Sequence, residues 1–366
     1  MWEAPLLSHP VKDIMIKREF GFAFIITALA LVLAFWYGFQ TGGIGTALNY
    51  LFIALVLGVM EVSLSFDNAV VNASVLKNMT QKWQQRFLVW GILIAVVGMR
   101  LVFPILIVAV TSGLGFGEVA NLALNDSERY AEYLEKAEVA ISAFGGVFLL
   151  LVALNYLMDP EKDEHWLGGF ERRLAGIGKL DTIQVVVTVA ALMLATHFMV
   201  APAEQVTALM AGLIGLVLYL VMNAIGNLFD PNDMAAKAGA AGLSAFLYLE
   251  VLDASFSLDG VIGAFAITKI VVIIAAGLAI GAVFVRSLTL FLVHRGTLAE
   301  YRYLEHGAHY GILALAIIML LSTNRNIHVP EVVTGLIGVG FIVFSIISSL
   351  RANKRDALDE VTSQPD

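Results

Sequence analysis

Apolar stretches of about 17–25 residues recur along this chain, and that is the length an α-helix needs to cross the hydrocarbon core of a bilayer. They lie at roughly 20–39, 48–76, 87–111, 138–158, 182–201, 206–229, 240–267, 270–293, 306–322 and 331–350, which predicts about ten crossings. Inside lipid every backbone N–H and C=O must find its partner within the protein. The predicted fold class is therefore an all-α polytopic membrane protein. Composition supports this: 59% of residues are hydrophobic and 14% charged, against about 25% charged in a soluble domain. The stretches 48–76 and 240–267 exceed what a crossing needs, so a break or a tilt is expected in each.

The distribution of basic residues orients the chain. Cytoplasmic segments carry the excess of Lys and Arg. With the N-terminus in the cytoplasm, sixteen of the 22 fall inside, four (Arg129, Lys136, Lys269, Arg325) fall outside, and Arg100 and Arg286 lie within crossings. This predicts a multi-pass cell-membrane protein with both termini cytoplasmic and the lipid bilayer as its surroundings. No cleavable signal is expected, because the first 19 residues are mixed and polar and the apolar segment after them is long enough to span. The longest outside loop, about 112–137, is acidic and is expected to hold a short amphipathic helix, read either as a cation-attracting vestibule or as a solvated loop helix. The inside loop 159–181 contains Gly168-Gly169-Phe170-Glu171-Arg172-Arg173, read as an interfacial anchor. The tail from Asn353 to Asp366 is polar and expected to be disordered.

Within this apolar background one polar pattern occurs twice. Glu61-Val62-Ser63-Leu64-Ser65-Phe66-Asp67-Asn68 aligns with Asp253-Ala254-Ser255-Phe256-Ser257-Leu258-Asp259-Gly260 at an offset of 192 residues. Acid, serine, serine and acid recur in register. Arg100 and Arg286 follow in the next crossings at an offset of 186. The two motifs fall on the second and seventh crossings, which run in opposite directions. An inverted-topology repeat is therefore predicted, the arrangement by which many secondary transporters place a site near the midplane.

An ionised carboxylate at mid-bilayer costs roughly 2.5–3.5 kcal/mol on insertion scales. Glu61, Asp67, Glu250, Asp253 and Asp259 must therefore face protein or a water-filled cavity and find positive charge. Pairing with Arg100 and Arg286 as structural salt bridges is one reading, but two arginines leave a surplus of about three acids. A cation pathway is the other. The candidate donors are all oxygen: these carboxylates, the Asn68 and Asn72 amides, and the hydroxyls of Ser63, Ser65, Ser255 and Ser257. Such ligands suit hard cations such as manganese, magnesium or calcium. The serines can equally pack helices or bond back to helix carbonyls. In an unbroken helix positions 61 and 67 lie about 240° apart. Either that helix unwinds near Ser63–Asn68, or the two acids act at different points of a path. Glu250 and Asp253, at i and i+3, share a face. Glu305 and His309, at i and i+4, either bind a metal at the cytoplasmic mouth or are interfacial.

Other functions are disfavoured. The net charge of −8 and the lack of a basic run argue against nucleic acid, and the absence of cysteine rules out disulfides and thiolate metal sites. With the acids at membrane depth and no nucleophile or cofactor motif beside them, no enzyme activity and no permanently bound cofactor are expected.

At these residues the chain resembles the TerC family of bacterial membrane proteins. Glu61 to Ala69 resembles its first signature. Glu250-Val251-Leu252-Asp253-Ala254-Ser255-Phe256-Ser257-Leu258-Asp259-Gly260, with Ala264 to Thr268, resembles its second. Arg100, Arg286 and Tyr303-Leu304-Glu305-His306-Gly307 match later positions. The resemblance covers about 45–158 and 240–325. Gly260 and Gly263 stand where the family has Ser and Pro, and the segment 159–240 with two extra spans marks a divergent branch. The resemblance implies an inverted-repeat fold related to the LysE transporter superfamily and metal-ion export, manganese foremost, together with an association with tellurium resistance. Members in photosynthetic organelles imply the alternative of a non-transporting assembly factor. On this reading Glu61, Asp67, Asn68, Glu250, Asp253 and Asp259 hold the cation as substrate, and Arg100 and Arg286 balance charge when the site is empty. The chain divides into an N-terminal segment and first span (1–44), a first repeat (45–158), inserted spans with a cytoplasmic loop (159–239), a second repeat (240–325), and a last span with a polar tail (326–366). Protein partners are not legible.

Overall fold

A computed structural model describes residues 9–180, 182–225, 234–327 and 329–363. Among them every regular element is a helix. In chain order they are α1 (His9–Leu64), α2 (Phe66–Leu76), α3 (Gln81–Leu93), a π-helical segment (Ile94–Val102), α4 (Phe103–Ser112), α5 (Phe116–Asn125), α6 (Ser127–Leu157), α7 (Gly169–Ile177), α8 (Ile183–Met199), α9 (Gln205–Ile225), α10 (Met234–Ile267), α11 (Val271–Arg295), α12 (Thr297–Glu300), α13 (Leu304–Ser322) and α14 (Glu331–Ser363). Among the described residues seven helical stretches are long and apolar enough to cross a membrane, starting at Glu19, Gln81, Ser127, Gln205, Val271, Leu304 and Val333. The protein is thus a multi-span membrane protein.

The first of these stretches is a hairpin. A straight 56-residue helix would be about 84 Å long, far more than the roughly 30 Å of hydrocarbon. The chain leaves helical geometry at Gly42 and Gly43, where Gly43 has φ +75°. That conformation suits glycine because it has no Cβ. The two arms then close on one another: a Cβ on Gly38 would lie 2.6 Å from Ala47 Cα, and the Tyr37 and Tyr50 rings stack at 6.2 Å. The arms run in opposite senses along α11. On the first, Glu19 meets His294, and Phe24 meets Phe284. On the second, Leu57 lies against Gly277, and Glu61 against Gly281.

Helices α6 and α11 are buried along most of their length, whereas the outer crossings expose rows of large apolar side chains such as Phe22, Trp36, Phe52 and Val110. Around α6, Phe148, Leu149 and Leu151 pack with residues of α2, α9, α10 and α13 into the main core. Without a hydrophobic drive between helices in lipid, small residues let the backbones approach. Gly145 and Gly146 of α6 do so against Met319 and Leu320 of α13.

Of three expectations, the first is met and the other two are corrected. The first motif helix is interrupted, at Ser65 (φ −103°, ψ 21°). The second is not, since α10 runs unbroken through Gly260 and Gly263. The tail is helical rather than disordered: α14 continues to Ser363, because a crossing already supplies the costly nucleus and each added residue such as Ala352, Lys354 and Arg355 extends it. The acidic segment 112–137 holds α5, with Glu118 in its first turn, as expected.

Candidate functional site

The motif helices cross beside each other in opposite directions. Asn68 Nδ2 donates to Asp253 Oδ1 at 2.9 Å. Seven residues back along the first motif, Glu61 Oε2 lies where a Cβ on Gly260 would approach it to 2.7 Å. As the first motif ascends from 61 to 68, the second descends from 260 to 253. The glycine gives the carboxylate its space, and an alanine there would collide with it.

In each motif a buried acid meets an arginine from the crossing that follows. Arg100 Nη2 donates to Glu61 Oε1 at 2.5 Å, and Ser65 Oγ donates to the same oxygen at 3.5 Å. Arg286 Nη2 donates to Glu250 Oε1 and Oε2 at 3.1 and 3.2 Å. It also lies 3.6 Å from Asp253 Oδ2, an ion pair beyond hydrogen-bond reach. Arg286 is seated over the Phe87 ring at 4.1 Å, and Gly91 leaves room for its guanidinium. Arg100 sits in the π-helical segment. The extra residue in such a turn re-aims the side chains beyond it, and these segments recur at functional sites.

Glu61, Asp67, Asn68, Asn72, Glu250 and Asp253 are all less than a tenth exposed. Asp67 accepts the Asn68 N–H at 2.9 Å. Its other oxygen points at Gly311 of α13 and Gly338 of α14, where a Cβ would reach it at 3.3 and 2.8 Å. The interruption at Ser65 matters here. Glu61 and Asp67, far apart around a regular helix, border one cavity of about 30 Å³ with Ser65, Thr334 and Gly260. Three oxygens in this region are buried without a hydrogen bond: Asn68 Oδ1, Asn72 Oδ1 and Asp253 Oδ2. Buried polar atoms are nearly always paired; Arg286 Nε is an open donor here as well, so it is the excess of four carboxylates over two arginines, with the two open amide oxygens, that marks a place favouring positive charge.

Not every predicted donor joins this group. Ser63 is exposed and donates back to the Val59 carbonyl, and Ser255 donates to the Val251 carbonyl. The side chains of Ser257 and Asp259 lie outside the described residues. Glu305 and His309 border a separate, polar cavity of about 830 Å³, with Asn78, Asn155 and Tyr248. There Glu305 is paired with Lys77. His309 Nδ1 lies 2.7 Å from the Glu305 carbonyl, and the ring stacks on Tyr156 at 3.7 Å. Among the described residues no three His, Asp or Glu side chains converge as a ready-made metal centre.

Two participants were not anticipated. Thr334 of α14 turns a buried, unpaired hydroxyl toward the Glu61–Asp67 cavity. Its signal was slight, one polar residue at the start of an apolar stretch. Glu171 of α7 is fully buried and accepts from Trp166 N, Lys162 Nζ and Tyr310 OH at 3.1, 3.2 and 3.0 Å, with His306 at 3.4 Å. Burial alone would push its carboxyl up. His306, Lys162 and the backbone N–H groups outweigh that and hold it below its ordinary value.

Comparison with known proteins gives one match. The family profile described as "Protein of unknown function (DUF475)" aligns with residues 66–356. That span takes in Asp67, Asn68, Arg100, Glu250, Asp253 and Arg286 and begins just after Glu61. No curated protein and no solved structure matches the chain. A profile match over most of its length places this multi-span membrane protein in the DUF475 family.

Proposed function

We propose that this protein is a secondary transporter that exports a hard divalent cation, with manganese foremost as the resemblance to TerC implies. The observation that carries the reading is the set of open acceptors, Asn68 Oδ1, Asn72 Oδ1 and Asp253 Oδ2, buried beside Glu61, Asp67 and Glu250. Two arginines oppose four described acids, so the group retains negative charge when the carboxylates are ionised. Oxygen donors of this kind, carboxylate and amide, select hard cations. In the state described here Arg100 and Arg286 hold Glu61, Glu250 and Asp253. An arriving cation would displace guanidinium from carboxylate, and the arginines would return when it leaves.

The contacts also support an inverted repeat. At the motif offset of 192, Asn68 corresponds to Gly260 and Glu61 to Asp253. The Asn68–Asp253 contact therefore maps onto the Gly260–Glu61 contact with the partners exchanged, as a two-fold relation requires. Glu61–Arg100 corresponds to Asp253–Arg286, with the arginines at the shorter offset of 186. Counting the α1 hairpin as two crossings and adding α8 and α10 to the other apolar stretches gives ten crossings, with both termini on the cytoplasmic side.

The cellular test is metal content. Expressed in a manganese-sensitive host, the wild type is expected to lower intracellular manganese and restore growth, and Asp67→Asn and Asp253→Asn to lose both effects. Unchanged manganese in all strains would defeat the proposal. Depletion of other membrane proteins at normal metal levels would point to an assembly factor instead.

A further inference from the structure

Helix α7 presents three different faces. At about 100° per residue, Glu171 and Ala175 share the face turned inward, and both are buried. Phe170 and Ile177 lie within about 20° of each other on a second face and are 56% and 46% exposed. Leu167 before the helix and Leu180 after it are also exposed, at 44% and 61%. Arg172 and Arg173 occupy the third face, and both are exposed, as is Lys179 just beyond. The inward face leaves no freedom to turn the helix over. Glu171 is bonded to Tyr310 of α13, and Trp166 packs on Tyr310 and Phe344. The apolar and basic faces are therefore held outward together.

Four large apolar side chains exposed around a nine-residue helix do not suit water. They suit the boundary between acyl chains and headgroups, where apolar residues enter the lipid, basic residues meet phosphate, and an indole marks the interface. The face lies on the side of the membrane where Lys and Arg are in excess. We infer that α7 is a docking surface for the anionic headgroups of the surrounding bilayer. Arg172, Arg173 and Lys179 contact lipid phosphate, and Phe170 and Ile177 enter the acyl region. Charge complementarity selects the lipid over a protein partner: between Leu167 and Leu180 three cations are exposed, and the one carboxylate, Glu171, is turned inward, while the exposed acids Asp159, Glu161 and Asp163 belong to the loop before it.

The chain has no cysteine, so one spin label can be placed at Ile177→Cys in the full-length protein in nanodiscs. Access of oxygen and of a neutral nickel chelate then reports depth. In discs containing phosphatidylglycerol the label is expected to be at least threefold less accessible to the chelate than in pure phosphatidylcholine. Each arginine contributes roughly fivefold to surface association. The triple change Arg172→Gln/Arg173→Gln/Lys179→Gln is therefore expected to abolish the lipid dependence, and Arg172→Lys/Arg173→Lys to keep most of it. Equal chelate access in both lipids overturns the proposal, as does a lipid dependence that survives the triple glutamine change. Transport activity does not enter either readout.

Discussion

Arg286 bears more on the second motif than any other single residue. It faces Glu250 and Asp253 at once, stacks on Phe87 and is 3% exposed. Removing one partner of a buried ion pair leaves an uncompensated charge and costs about 3–5 kcal/mol. Arg286→Ala is therefore expected to lower the thermal midpoint of the purified protein sharply. Adding Glu250→Gln to that change should recover part of the loss. A midpoint unaffected by Arg286→Ala would mean that the acids do not rely on it. The acids and arginines were legible in the sequence because a charge in an apolar stretch is costly and must be explained. Thr334 and the glycines at 260, 311 and 338 were not. Their importance lies in which carboxylate stands opposite, and that is a property of helix crossings rather than of local spacing.

At the scale of the element, helix existence was legible from apolar length, and most helix ends and irregularities were not. The boundary between the first two crossings, expected between 39 and 48, falls at Gly42–Gly43. The interruption at Ser65 falls where the 61–67 angle leaves unwinding as one of two alternatives, whereas nothing in the local sequence announces the π-helical segment around Arg100. Helix α7 is a similar case. Its Glu171 reads as one charge among many in a polar loop, and its burial follows from docking onto α13. Because the folded-state carboxyl sits below its ordinary value near 4.5, its contribution to stability is present above that value. It is lost as pH falls through the lower, folded-state value. Glu171→Gln is expected to cost about 1–3 kcal/mol near neutral pH. Melting curves of wild type and variant should converge as the pH drops below 4.5. A gap that is constant across this range would contradict the assignment.

For the whole molecule, the charge bias and the antiparallel contacts between Asn68–Asp253 and Glu61–Gly260 support the proposed inverted topology. Lys82 follows the first motif and Lys269 follows the second, and both are exposed. Introduced singly into this cysteine-free chain, Lys82→Cys should react with an impermeant reagent only from the cytoplasmic side, and Lys269→Cys only from the outside. Labelling of both from one side would break the inverted arrangement and the pathway built on it. The orientation in this proposed layout comes from the sorting of basic residues by side of the membrane. The way the acids share one interior was not readable in the sequence, since it depends on the hairpin folding back along α11 and on α10 crossing it.

The central claim is that the buried acids pass a divalent cation, and flux through purified protein tests it most directly. In liposomes loaded with a manganese-sensitive dye, the wild type is expected to carry manganese across the bilayer, and Asp67→Asn and Asp253→Asn to fall to the level of protein-free vesicles. Wild-type flux no greater than that of empty liposomes, or variants as fast as the wild type, would contradict it.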